Sequence, residues 1–136
     1  LRSLAKTKGY IDFGLFKPIQ YAAIKALTGP QDCVRKQVAI YRKRRDIMVR
    51  ELRKIGWQVP KPKATFYIWA RIPDKYSALT SMEFVSLLIR EAGVVLAPGT
   101  GFGEYGEGYV RFALVEGEKR LTEAAGRIKK LLEIEV

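Results

Sequence analysis

Val94-Val95-Leu96-Ala97-Pro98-Gly99-Thr100-Gly101-Phe102-Gly103, continued by Glu104-Tyr105-Gly106-Glu107-Gly108-Tyr109-Val110-Arg111-Phe112-Ala113-Leu114, reads as an apolar strand, a glycine-rich loop and a second strand. Side chains alternate across a strand, so Val110, Phe112 and Leu114 point one way while Tyr109, Arg111 and Ala113 point the other. Arg111 thus shares its face with two core-like residues. A guanidinium so placed loses much of its hydration and calls for a planar anion taken bidentately. On spacing alone an internal Asp or Glu is the commoner partner, and a bound carboxylate or phosphate is the other reading.

Gly101-Phe102-Gly103-Glu104-Tyr105-Gly106 matches the spacing of the dinucleotide fingerprint, which requires a strand before it and a helix after it. A strand follows here instead. With no helix N-terminus to receive a pyrophosphate, the nucleotide reading is rejected.

Working outward, 136 residues with 48% hydrophobic content suit one globular unit, and no internal repeat divides it. Neither a membrane-length apolar run nor a leader pattern is found, so the expected setting is cytoplasmic, with no membrane partner. A single cysteine, Cys33, excludes an intrachain disulfide and a thiolate metal cluster, and the chain has no histidine. Serine-histidine and zinc chemistry are therefore excluded, and no metal site is expected. Any catalysis must use lysine, tyrosine, a carboxylate or a cofactor. The net charge of +11 raises the alternative of a basic nucleic-acid-binding module. The basic residues are spread over every helical segment with no recognisable binding motif, which favours a solvated surface and no nucleic-acid partner.

Leu1, Leu4 and Ala5 form a short helical pattern, followed by an aromatic connector, Gly9 to Lys17. Pro18 opens a helix with an Ile19, Ala22, Ala23, Ala26, Leu27 stripe. The longest helical pattern runs from Gln31 to Ile55, roughly 37 Å if straight, long enough to be a spine between domains. Short strands are expected at Trp57-Gln58-Val59 and over Thr65 to Ile72, the latter with Phe66, Ile68 and Ala70 opposite Thr65, Tyr67, Trp69 and Arg71. Large rings on both faces imply a sheet covered twice or bordering a pocket. Thr80-Ser81-Met82-Glu83 is a capping box opening a helix that Gly93 ends. A last helix buries Leu121, Ala124, Ala125, Ile128, Leu131 and Leu132. The order predicts an α/β fold, a two-layer sandwich of a small sheet with helices on one face, preceded by the long helix.

The Ala97 to Gly103 loop and the Gly108 to Leu114 strand resemble the C-terminal part of class I pyridoxal-phosphate aminotransferases. Pro18-Ile19-Gln20-Tyr21-Ala22-Ala23 with Ala26-Leu27, Tyr41-Arg42-Lys43-Arg44-Arg45-Asp46 and Lys63-Ala64-Thr65-Phe66-Tyr67-Ile68-Trp69 are similar to family segments in the same order. The likeness covers essentially the whole chain and leans toward the LL-diaminopimelate, aspartate and alanine aminotransferase branch. It implies the small domain of a fold-type I enzyme, with residues 1–30 on the large-domain side and 31–136 forming the long helix and the small α/β domain.

By that resemblance Arg111 matches the arginine that grips the substrate α-carboxylate. Phe66 matches a position near the substrate pocket, and Gly101 and Phe102 lie in a loop bordering its mouth. The implied substrates are an α-amino acid and a 2-oxo acid. The implied partners are an N-terminal large domain and a second subunit in a homodimer. The family's Schiff-base lysine sits in a serine-lysine segment upstream of the matching region. No catalytic residue is therefore assigned to this chain, and pyridoxal 5'-phosphate is expected on the complete enzyme, not here.

Overall fold

The computed structural model of the protein describes residues 1–133. They divide into two compact units, Leu1–Lys36 and Gln37–Val136, where composition predicted a single globule. The first unit buries no side chain along its length.

In the first unit, α1 (Arg2–Asp12) continues through part of the expected connector. The Lys8–Asp12 pair, at 2.5 Å and one helical turn apart, supports the extension. Phe13 then adopts a left-handed conformation (φ 50°) and its N–H closes the helix on the Gly9 carbonyl. Helix α2 (Lys17–Thr28) has Pro18 in its first turn, as the sequence predicts. Ile19 and Leu27, at the ends of its apolar stripe, are exposed.

Helix α3 (Asp32–Lys54) carries the long apolar pattern, but only Met48, Val49 and Leu52 on it are buried. Val34 and Val38 remain exposed. Beyond it come β1 (Tyr67–Arg71), α4 (Ser81–Leu87) running into a π-helical turn at Leu88–Ala92, β2 (Ala97–Pro98), β3 (Tyr109–Ala113) and α5 (Glu118–Glu133). The strands form an antiparallel sheet in the order β1-β3-β2, with Trp69 opposite Arg111 on one side and Ala97 opposite Arg111 on the other. Inward residues Ile68, Ala70, Val110 and Phe112 pack with Met48, Leu52, Phe84, Leu88, Leu121 and Ile128 in one core. The α/β reading holds: a small sheet with its helices on one face.

Two expected strands differ. Trp57-Gln58-Val59 makes no ladder, although Trp57 and Val59 are buried. The Trp57 indole N–H instead donates to the Arg71 carbonyl at 2.8 Å, and its backbone N–H closes the end of α3 on Leu52. The apolar run before the glycine-rich loop pairs only at Ala97–Pro98, because the Val94 N–H is taken by the Leu88 carbonyl at 3.2 Å. The capping box at Thr80 is present in full, with the Glu83 N–H donating to Thr80 Oγ1 and the Thr80 N–H donating to Glu83 Oε2.

Candidate functional site

Alternation leaves Tyr67, Trp69, Tyr109 and Arg111 on the face of the sheet turned away from the core. Arg111 sits at its centre, on the middle strand. Its guanidinium carbon lies 4.1 Å from the centroid of the Tyr67 ring and 4.2 Å from that of Phe102. Trp69 adds an edge contact to Phe102 and a stacked contact to Tyr109, both with centroids 5.7 Å apart. Such cation–π contacts contribute about 0.5–1 kcal/mol each when exposed and more when dry.

Both rings thus lie within cation–π distance of the guanidinium. Arg111 Nε is buried and has no hydrogen-bond partner among the described residues. Nor does any described carboxylate form an ion pair with it, so the internal Asp or Glu considered from spacing is not there. A buried donor without an acceptor costs roughly 1–3 kcal/mol, so its persistence needs a reason.

Phe102 reaches Arg111 because its loop is folded tightly. Two short 3-10 turns, Gly99–Phe102 and Glu104–Gly106, double the chain back so that the backbones of Gly99 and Gly106 touch. A Cβ on either glycine would run into the other's carbonyl oxygen, so no larger residue fits at this crossing. Gly101 lies in the first turn, exposed, immediately before Phe102.

Phe66 stands apart from this group. It precedes β1, stacks on Tyr41 with ring centroids 5.2 Å apart, and lines a cleft of about 380 Å³ with Val38, Arg42 and Arg45. Its link to Arg111 is indirect, through Tyr67 at 4.3 Å between centroids. The structure thus brings together Arg111 and Phe102 of the residues singled out from sequence. It adds Tyr67, Trp69 and Tyr109, whose shared face was legible by alternation but whose register against Arg111 was not.

A larger cleft, about 860 Å³, follows the β2 edge and is lined by Leu96, Ala97, Arg111, Arg120, Glu123 and Arg127. Arg120 and Arg127 are matched there by Glu116 at 3.7 Å and Glu123 at 2.6 Å. Of the three arginines at this cleft, Arg111 is the one with no carboxylate among the described residues.

The model of the family described as aminotransferase class I and II matches residues 3–128. The chain belongs to that family. Members transfer amino groups with pyridoxal phosphate as cofactor. This aminotransferase chain is 50% identical over 129 residues to the LL-diaminopimelate aminotransferase of Halothermothrix orenii, covering 95% of the chain and 32% of that relative. It is 48% identical over 129 residues to the glutamate-pyruvate aminotransferase AlaC of Escherichia coli, covering 95% and 31%. Among solved structures, substrate-bound BacF from Bacillus subtilis superposes with a TM-score of 0.84 at 35% identity, over 96% of this chain and 33% of that one. Alanine aminotransferase from Pyrococcus furiosus does so with a TM-score of 0.84 at 32% identity, over 97% and 34%. The chain spans about a third of the length of the relatives it matches.

Every described lysine is exposed. No described helix is long and apolar enough to cross a membrane.

Proposed function

We propose that this chain supplies the substrate-carboxylate clamp of an aminotransferase acting on α-amino acids and 2-oxo acids, and that Arg111 is the clamp. The observation that supports it is the buried Arg111 Nε without an acceptor among the described residues, on a guanidinium within cation–π distance of the Tyr67 and Phe102 rings. A carboxylate accepts Nε–H and one Nη–H side by side, and the planar guanidinium fixes the plane in which it must lie. The part of Arg111 is to bind and orient the carboxylate. Holding the carboxylate in one plane fixes the Cα substituents relative to the reacting groups, which is the entropic share of catalysis. Tyr67 and Phe102 exclude water from the ring faces and so strengthen the charge pair.

The Schiff-base lysine and the cofactor contacts belong, on this reading, to a large domain outside the chain, and the complete enzyme works in the cytoplasm as a homodimer. The exposed Tyr10, Phe13, Phe16 and Ile19 form the surface we assign to a partner subunit. Sedimentation of the complete polypeptide as a monomer at micromolar concentration would remove the dimer from the proposal. The chain alone should neither transaminate nor form a stoichiometric lysine adduct with pyridoxal phosphate, checked by borohydride trapping and peptide mapping.

The decisive experiment is Arg111→Lys in the complete polypeptide. A point charge replaces a planar fork, and loss of a charged hydrogen bond, about 1.5–3 kcal/mol, corresponds to a roughly 10- to 150-fold rise in KM for amino and oxo acids alike. Unchanged KM for every substrate would rule Arg111 out as the clamp.

A further inference from the structure

The loop that lays Phe102 over Arg111 is anchored at its far end through a single carboxylate oxygen. Glu107 Oε1 accepts from the Ser81 backbone N–H at 2.7 Å, from Ser81 Oγ at 3.0 Å and from the Gly108 N–H at 2.9 Å. Ser81 is the first residue of α4 and is fully buried, with its Oγ also 3.4 Å from the Gly106 carbonyl oxygen. These bonds tie the loop to the helical layer, while the Ile72 N–H, donating to the Gly108 carbonyl at 2.9 Å, ties it to the exit of β1.

The part between is internally stiff. The Gly103 N–H donates to the Thr100 carbonyl at 3.2 Å and the Gly106 N–H to the Gly103 carbonyl at 2.9 Å, and the Gly99–Gly106 crossing closes the loop on itself. A stiff loop transmits a displacement of its anchor to its tip, and Phe102 is in that tip. The capping box satisfies only the Thr80 and Glu83 N–H groups, so the Ser81 N–H, an open donor of the first turn of α4, is left for Glu107, and the same oxygen serves helix and loop.

We propose that Glu107, acting through Ser81, is a positioning residue for the substrate clamp: its Oε1 holds the Gly99–Gly108 loop where Phe102 covers the Arg111 guanidinium. The proposal rests on the reading of Arg111 as the carboxylate clamp. All three bonds converge on one oxygen. What matters is therefore an acceptor at that point more than the charge, and glutamine keeps such an acceptor while alanine removes it.

Two measurements test this. In the ¹⁵N-labelled chain, hydrogen exchange of the Arg111 Nε–H reads how well Phe102 covers it. Glu107→Ala should speed that exchange by about tenfold or more, while Glu107→Gln should stay within about threefold of wild type, because protection follows local opening. In the complete polypeptide, Glu107→Ala should raise KM for both substrates by roughly 5- to 20-fold with kcat changed less than about twofold, as expected for lost positioning of a binding group. Added to Arg111→Lys, the same substitution should raise KM by less than about twofold more, since coupled residues are non-additive.

The idea fails if Glu107→Ala leaves both exchange and KM unchanged while Arg111→Lys raises KM, or if its effect multiplies in full onto Arg111→Lys. It fails equally if glutamine is as damaging as alanine. Should Arg111→Lys itself leave KM unchanged, the clamp reading falls and this one with it, which separates the two failures. If Glu107→Ala does not fold, Ser81→Ala removes one donor and should speed the exchange by about threefold, and no change there overturns the proposal.

Discussion

The two faces of the same short sheet are finished differently. On the helical side, Ile68, Ala70 and Val110 are fully buried and Phe112 nearly so, each held by shape and volume. On the other side the strands carry Tyr67, Trp69, Tyr109 and Arg111, and the contacts are ring on ring and ring on cation. Nothing on the first face has a polar side-chain atom to satisfy. The second places a charged group at its centre, sets two rings within cation–π distance of it, and leaves a buried Nε–H without an acceptor among the described residues. One face is therefore read as stability and the other as recognition, although three alternating residues of a single strand separate them.

The largest effect that would sharpen this contrast is Phe112→Ala. It empties volume beside the Trp57 ring, 5.2 Å away between centroids, and should cost about 3–5 kcal/mol in urea denaturation. A cost under about 1 kcal/mol would show that the helical face is not the closely packed one. Next, Gly106→Ala forces a Cβ against the Gly99 carbonyl and should cost about 1–3 kcal/mol, with a changed near-ultraviolet spectrum as Trp69 loses its contact with Phe102. An unperturbed spectrum would mean the loop is not stiff.

Smaller still is Arg111→Leu, one residue from Phe112. Removing a buried donor that has no acceptor offsets the lost ring contacts, so stability should change by less than about 1 kcal/mol in either direction while carboxylate binding is abolished. A large loss of stability would erase the distinction between the faces.

The smallest effect concerns pH. Glu107 has its carboxyl held below the usual glutamate range, first by the Ser81 N–H bond, then by the Gly108 N–H bond. A depressed folded-state value means that the anchor's stabilisation is fully present above the ordinary glutamate value and is lost as pH falls through the lower one. Stability of wild type should therefore fall more steeply across that acid window than stability of Glu107→Ala. Parallel curves would show that the anchor does not titrate.

Much of this was readable in advance. Alternation over Tyr109 to Leu114 placed Arg111 opposite Val110 and Phe112, and the burial pattern agrees. The capping box at Thr80 and the helix stripes beyond it depend on residues close in sequence, where local rules suffice. The partner ring did not follow from such rules. Thr65 takes a left-handed conformation, φ 66°, which delays β1 until Tyr67, and the pairing of Trp69 with Arg111 then brings Tyr67 to the guanidinium while Phe66 turns to Tyr41. A non-glycine residue in that region carries no composition signal. Trp57-Gln58-Val59 misled for a related reason: its apolar alternation reflects burial, and ladder hydrogen bonds depend on a neighbour that periodicity does not reveal.

The absence of any buried side chain in Leu1–Lys36 has a consequence for protease sensitivity. Helices of 11 and 12 residues with no tertiary face are marginal in water, so they open without the rest of the molecule unfolding. Trypsin sites at Lys6, Lys8 and Lys25 all lie on exposed positions there. Cleavage at them should follow local opening and be insensitive to core substitutions such as Phe112→Ala, while cleavage after Arg53, next to buried Leu52, should wait for global unfolding and accelerate in that variant. A digest of the chain would therefore show two clocks, one set by helix fraying and the other by the core.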